Sequence, residues 1–275
     1  MATPLLSTKL YIPPLRRSLV QRSRLLERLN EGLHRKLTLV SAPAGFGKTT
    51  LLVEWIHDLQ RDASPAVHVA WVSLDSGDDD PARFVAYLSA AVRQAGKSLD
   101  QAGGNFHEPA GALALEPQLV TLINQVAARP HTLLLVLDDY HLITSQVIHD
   151  ALAFLLDHQA ENMHLVLATR GDPPLPLARL RARGELTELR QSDLRFTVEE
   201  TTTFLNDIAS LDLPSKDIAA LEARTEGWIA GLRMASLAAR GWQADGAGDL
   251  SGFVQAFTGS HRFVLDYLME EVLDQ

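Results

Sequence analysis

Residues 37–50 read Leu37-Thr38-Leu39-Val40-Ser41-Ala42-Pro43-Ala44-Gly45-Phe46-Gly47-Lys48-Thr49-Thr50, and this stretch decides the fold. The first five residues are a compact apolar run of strand type. The next six are rich in glycine and small residues, and beyond Lys48 the side chains Leu51, Leu52, Trp55 and Ile56 share the spacing of a helix face. Strand, glycine loop and helix in that order form a Walker A loop, with Ala42 where the first glycine usually stands. Gly45 and Gly47 let the backbone amides around Ala44 and Phe46 turn onto phosphate oxygens. The helix N-terminus adds partial positive charge, Lys48 places a cation between β and γ phosphates, and Thr49, followed by Thr50, offers a hydroxyl to Mg²⁺. Alanine is tolerated at position 42 wherever positive φ is not needed.

Ninety positions beyond Lys48, the apolar run Leu133–Leu137 ends in Asp138 and Asp139. A buried strand tipped by carboxylates is the Walker B arrangement, with the tip expected beside the phosphate loop. Asp138 suits Mg²⁺, and Asp139 is placed to polarise the attacking water as general base. A third strand, His164–Thr169, ends in Arg170. A cation at that edge contacts a γ phosphate in the role called sensor 1, or else pairs at the surface with Asp172; the sequence leaves both open. His141 reads as a structural hydrogen-bonding residue. Asp75, Asp78, Asp79 and Asp80 read as a solvated turn with a helix N-cap just before Pro81.

Around these motifs, strands at 37–41, 67–74, 132–137 and 164–169 alternate with helical patterns, such as Phe84, Leu88, Ala91 and Ala95 on one face. That alternation predicts an α/β domain, a parallel sheet flanked by helices over residues 1–195. The stretch 96–117 is expected to be a long surface loop. From Thr197 and Glu200, which make a capping-box pattern, the signal becomes helical, with helices at about 215–225 and 227–240 in a small all-α domain over 196–240. Residues 241–275 are expected to hold a glycine-punctuated linker, marked by Gly241, Gly246, Gly248 and Gly252, and then an amphipathic helix from Phe263 to Val272 that opens a truncated winged-helix region.

The chain has 275 residues, 46% apolar and 21% charged, and no cysteine, which excludes disulfides, thiolate metal sites and a cysteine nucleophile. No apolar run approaches the roughly 20 residues of a membrane helix, and Pro4, Pro13 and Pro14 interrupt any signal-like start, so a cytoplasmic protein without a membrane partner is expected. The net charge of −9 argues against nucleic-acid binding by this stretch. Residues 1–36 nevertheless carry a surplus of six positive charges, read either as a solvated face or as a flank to an anionic ligand.

Taken together, these motifs resemble the MalT-like STAND ATPases, large ATP-binding regulators of the LuxR family. The likeness covers nearly the whole chain. It rests on Thr8-Lys9-Leu10-Tyr11-Ile12-Pro13-Pro14 with Leu19-Val20-Gln21-Arg22, on Ser41–Thr50, on Trp71–Asp75 with Asp80–Phe84, and on Leu137–His141. It also rests on Ala168-Thr169-Arg170, on Asp193–Phe196 and on Glu226-Gly227-Trp228 with Gly231-Leu232. The resemblance implies an ADP-bound resting state and an ATP-bound state that self-associates in the full-length protein. It implies an inducer bound by further C-terminal domains, and DNA contacted only through a C-terminal helix-turn-helix. It also places Arg22 near adenine or ribose and makes Arg170 the sensor arginine. Gly227-Trp228-Ile229 stands where related proteins carry a glycine-x-proline adenine contact; the proline is missing here. Read from the residues alone, the alternatives are a P-loop phosphotransferase acting on a small metabolite and a nucleotide-binding scaffold without turnover.

Overall fold

The computed structural model describes residues 4–16, 18–61, 67–97, 115–244 and 249–257. These fall into two compact units: one from residues up to Leu15, Leu26–Ser41 and Leu51–Leu189, the other from Arg16–Leu25, Ala42–Thr50 and Arg190 onward.

The first unit is built on one five-stranded sheet. Its strands are β1 (Leu37–Ser41), β2 (Val67–Ser73), β3 (Thr132–Asp138), β4 (Met163–Thr169) and β5 (Leu186–Arg190), in the order β2-β3-β4-β1-β5. The pairs β2–β3, β3–β4 and β4–β1 are parallel. Every residue of β1 and β4 is buried, as strands covered on both faces require, and for that reason their sequences are mostly apolar rather than alternating, with Thr38 and His164 as a buried polar pair. Helix α1 (Ser23–Gly32) precedes the sheet, and α2 (Lys48–Arg61), α3 (Pro81–Lys97), α4 (Leu115–Ala127), α5 (Gln146–His158) and α6 (Leu177–Ala182) lie between successive strands. The core joins Phe84, Leu88 and Val92 of α3 and Leu119 and Val126 of α4 to Leu135 and Leu137 of β3.

Two expectations are revised. Gly96 lies in α3 and residues 115–117 open α4, so the expected loop is shorter at both ends; 98–114 lie outside the described residues. The acidic cluster is no solvated turn. Asp78 is fully buried and accepts from Lys9 Nζ at 2.5 Å, with Arg83 Nε 3.1 Å from its other oxygen. Lys9 also meets Asp75 at 2.5 Å and lies over the Tyr87 ring. Burial opposes the Lys9 charge, but bonds to Asp75 and Asp78 raise its pKa. Of the acidic four, Asp80 performs the expected capping, accepting from Arg83 N at 2.8 Å.

The second unit is helical: α7 (Gln191–Leu194), α8 (Val198–Thr202) widening into a π-helical turn (Thr203–Ile208), α9 (Ser215–Thr225), α10 (Ile229–Ala244) and α11 (Leu250–Ala256). The expected capping box is present: Thr197 Oγ1 accepts from Glu200 N at 3.2 Å and Glu200 Oε2 from Thr197 N at 3.1 Å. Leu205, Leu221, Leu232 and Ala235 form the centre of its core. The expected boundaries at 195/196 and 240/241 shift, because the unit takes in Arg190 and because Gly241 lies inside α10 and Gly252 inside α11. Phe253, Val254 and Phe257 pack into this same core, and Arg224 Nη1 donates to the carbonyls of Val254 and Phe257, so α11 is a folded part of the helical unit rather than linker. The amphipathic helix expected at 263–272 lies outside the described residues.

Candidate nucleotide-binding site

Along the sheet, Ser41 is level with Thr169 and Leu137 with Leu167, so β1, β4 and β3 deliver Ser41, Thr169 and Asp138 to the same edge. In the sheet β4 stands between β1 and β3, so the strand tipped by Asp138 is one place removed from β1. Asp138 is buried, and its Oδ1 accepts from Asp139 N at 3.2 Å. Asp139 adopts φ 57°, ψ 38°, a left-handed conformation uncommon for a non-glycine residue, and its half-exposed carboxylate lies 3.8 Å from His141 Nδ1. Arg170 follows the last residue of β4, where Thr169 Oγ1 donates to Gly171 O at 3.0 Å and turns the chain.

The segment behind the Walker B pair is held by groups that sequence reading set aside. Asp79 accepts from Thr144 N and Ser145 N, both at 2.7 Å, and from Thr144 Oγ1 at 2.6 Å. Burial opposes the Asp79 charge, but these three bonds hold its carboxyl below the usual carboxylate range. Tyr140, buried, is hydrogen-bonded to His149 Nδ1 at 2.7 Å. Burial raises the Tyr140 hydroxyl's pKa and lowers that of His149, so the pair stays neutral near pH 7. The clustering of four aspartates at 75–80 was the one signal for this scaffold; nothing in the sequence pairs Asp79 with Thr144.

The loop itself belongs to the helical unit. Gly45 and Gly47 have φ of 76° and 79°, which explains glycine at both positions. Ala42 is absent from the left-handed residues, so alanine there costs nothing in backbone strain. Lys48 opens α2, is buried, and donates from Nζ to Ala42 O at 2.9 Å and Pro43 O at 3.1 Å. Thr49 and Thr50, half-buried, complete that first turn, while Ala44 and Phe46 are buried. From the helical side, Trp228 Nε1 donates to Ala44 O at 3.1 Å and Ala230 N to Gly45 O at 3.2 Å.

Arg22 is buried and engaged with protein. Its Nη2 donates to Arg195 O at 2.9 Å and lies 3.3 Å from Glu200 Oε2, while its guanidinium carbon sits 4.6 Å from the Phe196 ring centroid. The basic opening is equally occupied: Arg28 donates to Glu188 O and Arg35 to Leu186 O along β5, both at 2.7 Å. Arg24 donates to Asp193 O and Arg195 O, both at 2.8 Å. These four arginines bind backbone carbonyls and so hold segments of the fold together.

Thr49 and Asp138 offer hard oxygen donors of the kind Mg²⁺ takes. Among the described residues there is no cluster of three or more His, Asp or Glu able to hold a metal by itself, and Mg²⁺ in phosphate sites takes one or two protein oxygens and leaves the other positions to water and phosphate. The chemistry of each residue therefore fits. Among the described residues no helix is long and apolar enough to cross a membrane.

Residues 17–168 match the family model described as an AAA ATPase domain. The chain is 38% identical over 275 residues to the HTH-type transcriptional regulator MalT of Yersinia enterocolitica, covering 98% of this chain and 29% of that protein. It is 35% identical over 257 residues to the serine/threonine-protein kinase PknK of Mycobacterium tuberculosis, covering 94% of this chain and 22% of that protein. The chain thus spans less than a third of either relative. Among solved structures, its fold is similar to a signal transduction ATPase with numerous domains, bearing a tetratricopeptide repeat sensor, from Pyrococcus horikoshii. That match has a TM-score of 0.56 at 17% identity, over 84% of this chain and 31% of that one. It is also similar to a Walker-type ATPase of Pyrococcus abyssi, with a TM-score of 0.57 at 16% identity, over 94% and 76%.

Proposed function

This chain belongs to the AAA ATPase domain family, and on that footing we propose that it is the nucleotide-operated switch of a longer, MalT-like regulator. It rests with ADP, exchanges it for ATP and Mg²⁺, and hydrolyses ATP slowly. In the ATP state it brings copies of the longer protein together.

The observation that carries the reading is the loop 42–50, in which Gly45 and Gly47 both take left-handed φ between a buried strand and the helix that Lys48 opens. That geometry turns successive amides toward one point, the arrangement that cradles a phosphate chain. On this reading Ala44 to Thr50 bind the phosphates and Lys48 meets the β and γ oxygens. Thr49 and Asp138 hold Mg²⁺, which when bound neutralises charge on the phosphate oxygens. Asp139 takes the proton of the attacking water, and Arg170 reads the γ phosphate. Arg22 serves the adenine side through the segment it holds at Arg195, Phe196 and Glu200.

A relative named as a transcriptional regulator and one named as a kinase share this stretch, which supports a switch that different outputs use. Inducer binding and DNA contact through a helix-turn-helix are assigned to other parts of the longer protein, acting in the cytoplasm. Calorimetric titration of ATP and ADP tests the reading. Lys48→Ala removes a charge-assisted contact and should weaken both affinities by about 1.5 to 3 kcal/mol, roughly 10- to 150-fold. Equal affinities for the two proteins would contradict it.

A further inference from the structure

The first turn of α10 holds the phosphate loop from outside. Trp228 Nε1–H donates to Ala44 O at 3.1 Å and Ala230 N–H to Gly45 O at 3.2 Å, while Ile229 Cγ2 lies 3.6 Å from where a Cβ on Gly47 would be. Within one trans peptide unit the C=O and N–H point in opposite directions. The unit that carries the Ala44 carbonyl also carries the Gly45 amide, and the unit with the Gly45 carbonyl carries the Phe46 amide. A donor that fixes each carbonyl outward therefore aims each amide inward, where a Walker loop meets phosphate.

The placement of the indole is itself enforced. Gly227 has φ of 68°, and a Cβ there would lie 2.5 Å from Phe196 O and 2.8 Å from Phe196 N, so this turn is pressed against the Phe196 backbone; Phe196 N donates to Gly227 O at 2.8 Å. A Cβ on Gly231 would come 2.8 Å from Trp228 Cε3, so the bare glycine leaves room for the ring along α10. Two glycines thus fix one tryptophan, and the tryptophan fixes the loop.

We propose that Trp228, together with the Ala230 amide, is a positioning residue that aims the Gly45 and Phe46 amides at the bound phosphates. The proposal rests on the nucleotide-binding reading. It also has a reciprocal consequence: a phosphate accepting from an amide polarises that peptide unit and strengthens the bond its carbonyl receives, so the indole senses the ligand.

The test uses the full chain labelled with 5-fluorotryptophan, whose four tryptophans include Trp228, and titrated with ADP and Mg²⁺. The fluorine signal lost in Trp228→Phe should shift on saturation in the wild type. Trp228→Phe, which keeps a ring and removes the donor, should bind ADP about 3- to 10-fold more weakly, the range for one neutral hydrogen bond, with unchanged circular dichroism. Ala230→Pro removes only the second donor, at a helix first-turn position where proline is tolerated, and should weaken binding similarly; it decides the matter if Trp228→Phe does not fold. Wild-type affinity in the folded variants, or a Trp228 signal unmoved by ADP that binds, overturns the proposal alone. A wild-type chain that binds neither ADP nor ATP overturns the nucleotide reading and this proposal with it.

Discussion

Asp139 occupies a conformation that costs most L-residues about 1–2 kcal/mol, and aspartate is among the few side chains that adopt it readily. On the proposed function this residue, beside the buried Asp138 carboxylate, is the general base. Asparagine is equally at home there, so Asp139→Asn should preserve fold and ATP affinity while turnover falls by about 100- to 10,000-fold, the usual contribution of a general base. A phosphate-release assay showing the parent rate would remove Asp139 from the mechanism. His164 provides a pH test of the sheet. Its Nε2 is 2.9 Å from Thr38 Oγ1 and its Nδ1 2.6 Å from Arg35 O, and burial pushes its pKa down to about 4. The unfolded chain binds this proton near pH 6.5 and the folded chain does not, so stability is full above about 6.5 and is lost as the pH falls toward 4. That loss is on the order of 3 kcal/mol. Urea unfolding at pH 7.5 and pH 5 should show the decline in the wild type and a flatter profile in His164→Asn.

Among the elements, those with strong periodicity were legible and those held by distant partners were not. β1 runs from Leu37 to Ser41 and α9 from Ser215 to Thr225, both as the apolar spacing and flanking residues predict. β5 escaped notice because Leu186-Thr187-Glu188-Leu189-Arg190 is short and half charged; at the sheet edge its carbonyls are taken by Arg28 and Arg35, contacts more than 150 residues away in sequence. The Ser7–Leu10 turn tells the same story. Thr8-Lys9-Leu10 looks like a polar lead-in, but its lysine is buried against Asp78, and only the fold reveals the pairing. Lys9→Met leaves Asp78 buried with Arg83 alone, and should destabilise the first unit by about 3 kcal/mol, the low end for breaking a buried ion pair. A shift of less than about 0.5 kcal/mol in the unfolding midpoint analysis would show that Arg83 suffices.

For the molecule as a whole, the two Walker motifs, the α/β class and the helical segment that follows it were all readable from residue types in order along the chain. The loop–helix contact was not, since Ala44 and Trp228 are 184 residues apart and meet through a carbonyl that any residue supplies. Arg22 shows the opposite limit: the resemblance singles the residue out, but its partners Arg195, Glu200 and Phe196 appear only in the folded unit. The proposed switch depends on this chain holding one adenine nucleotide in the loop 42–50. Native mass spectrometry after incubation with ATP and Mg²⁺ reads that directly. The wild type should carry one ADP or ATP per chain and Lys48→Ala should carry little or none; a folded wild-type chain at its bare mass, or a Lys48→Ala chain loaded as fully as the wild type, would contradict it.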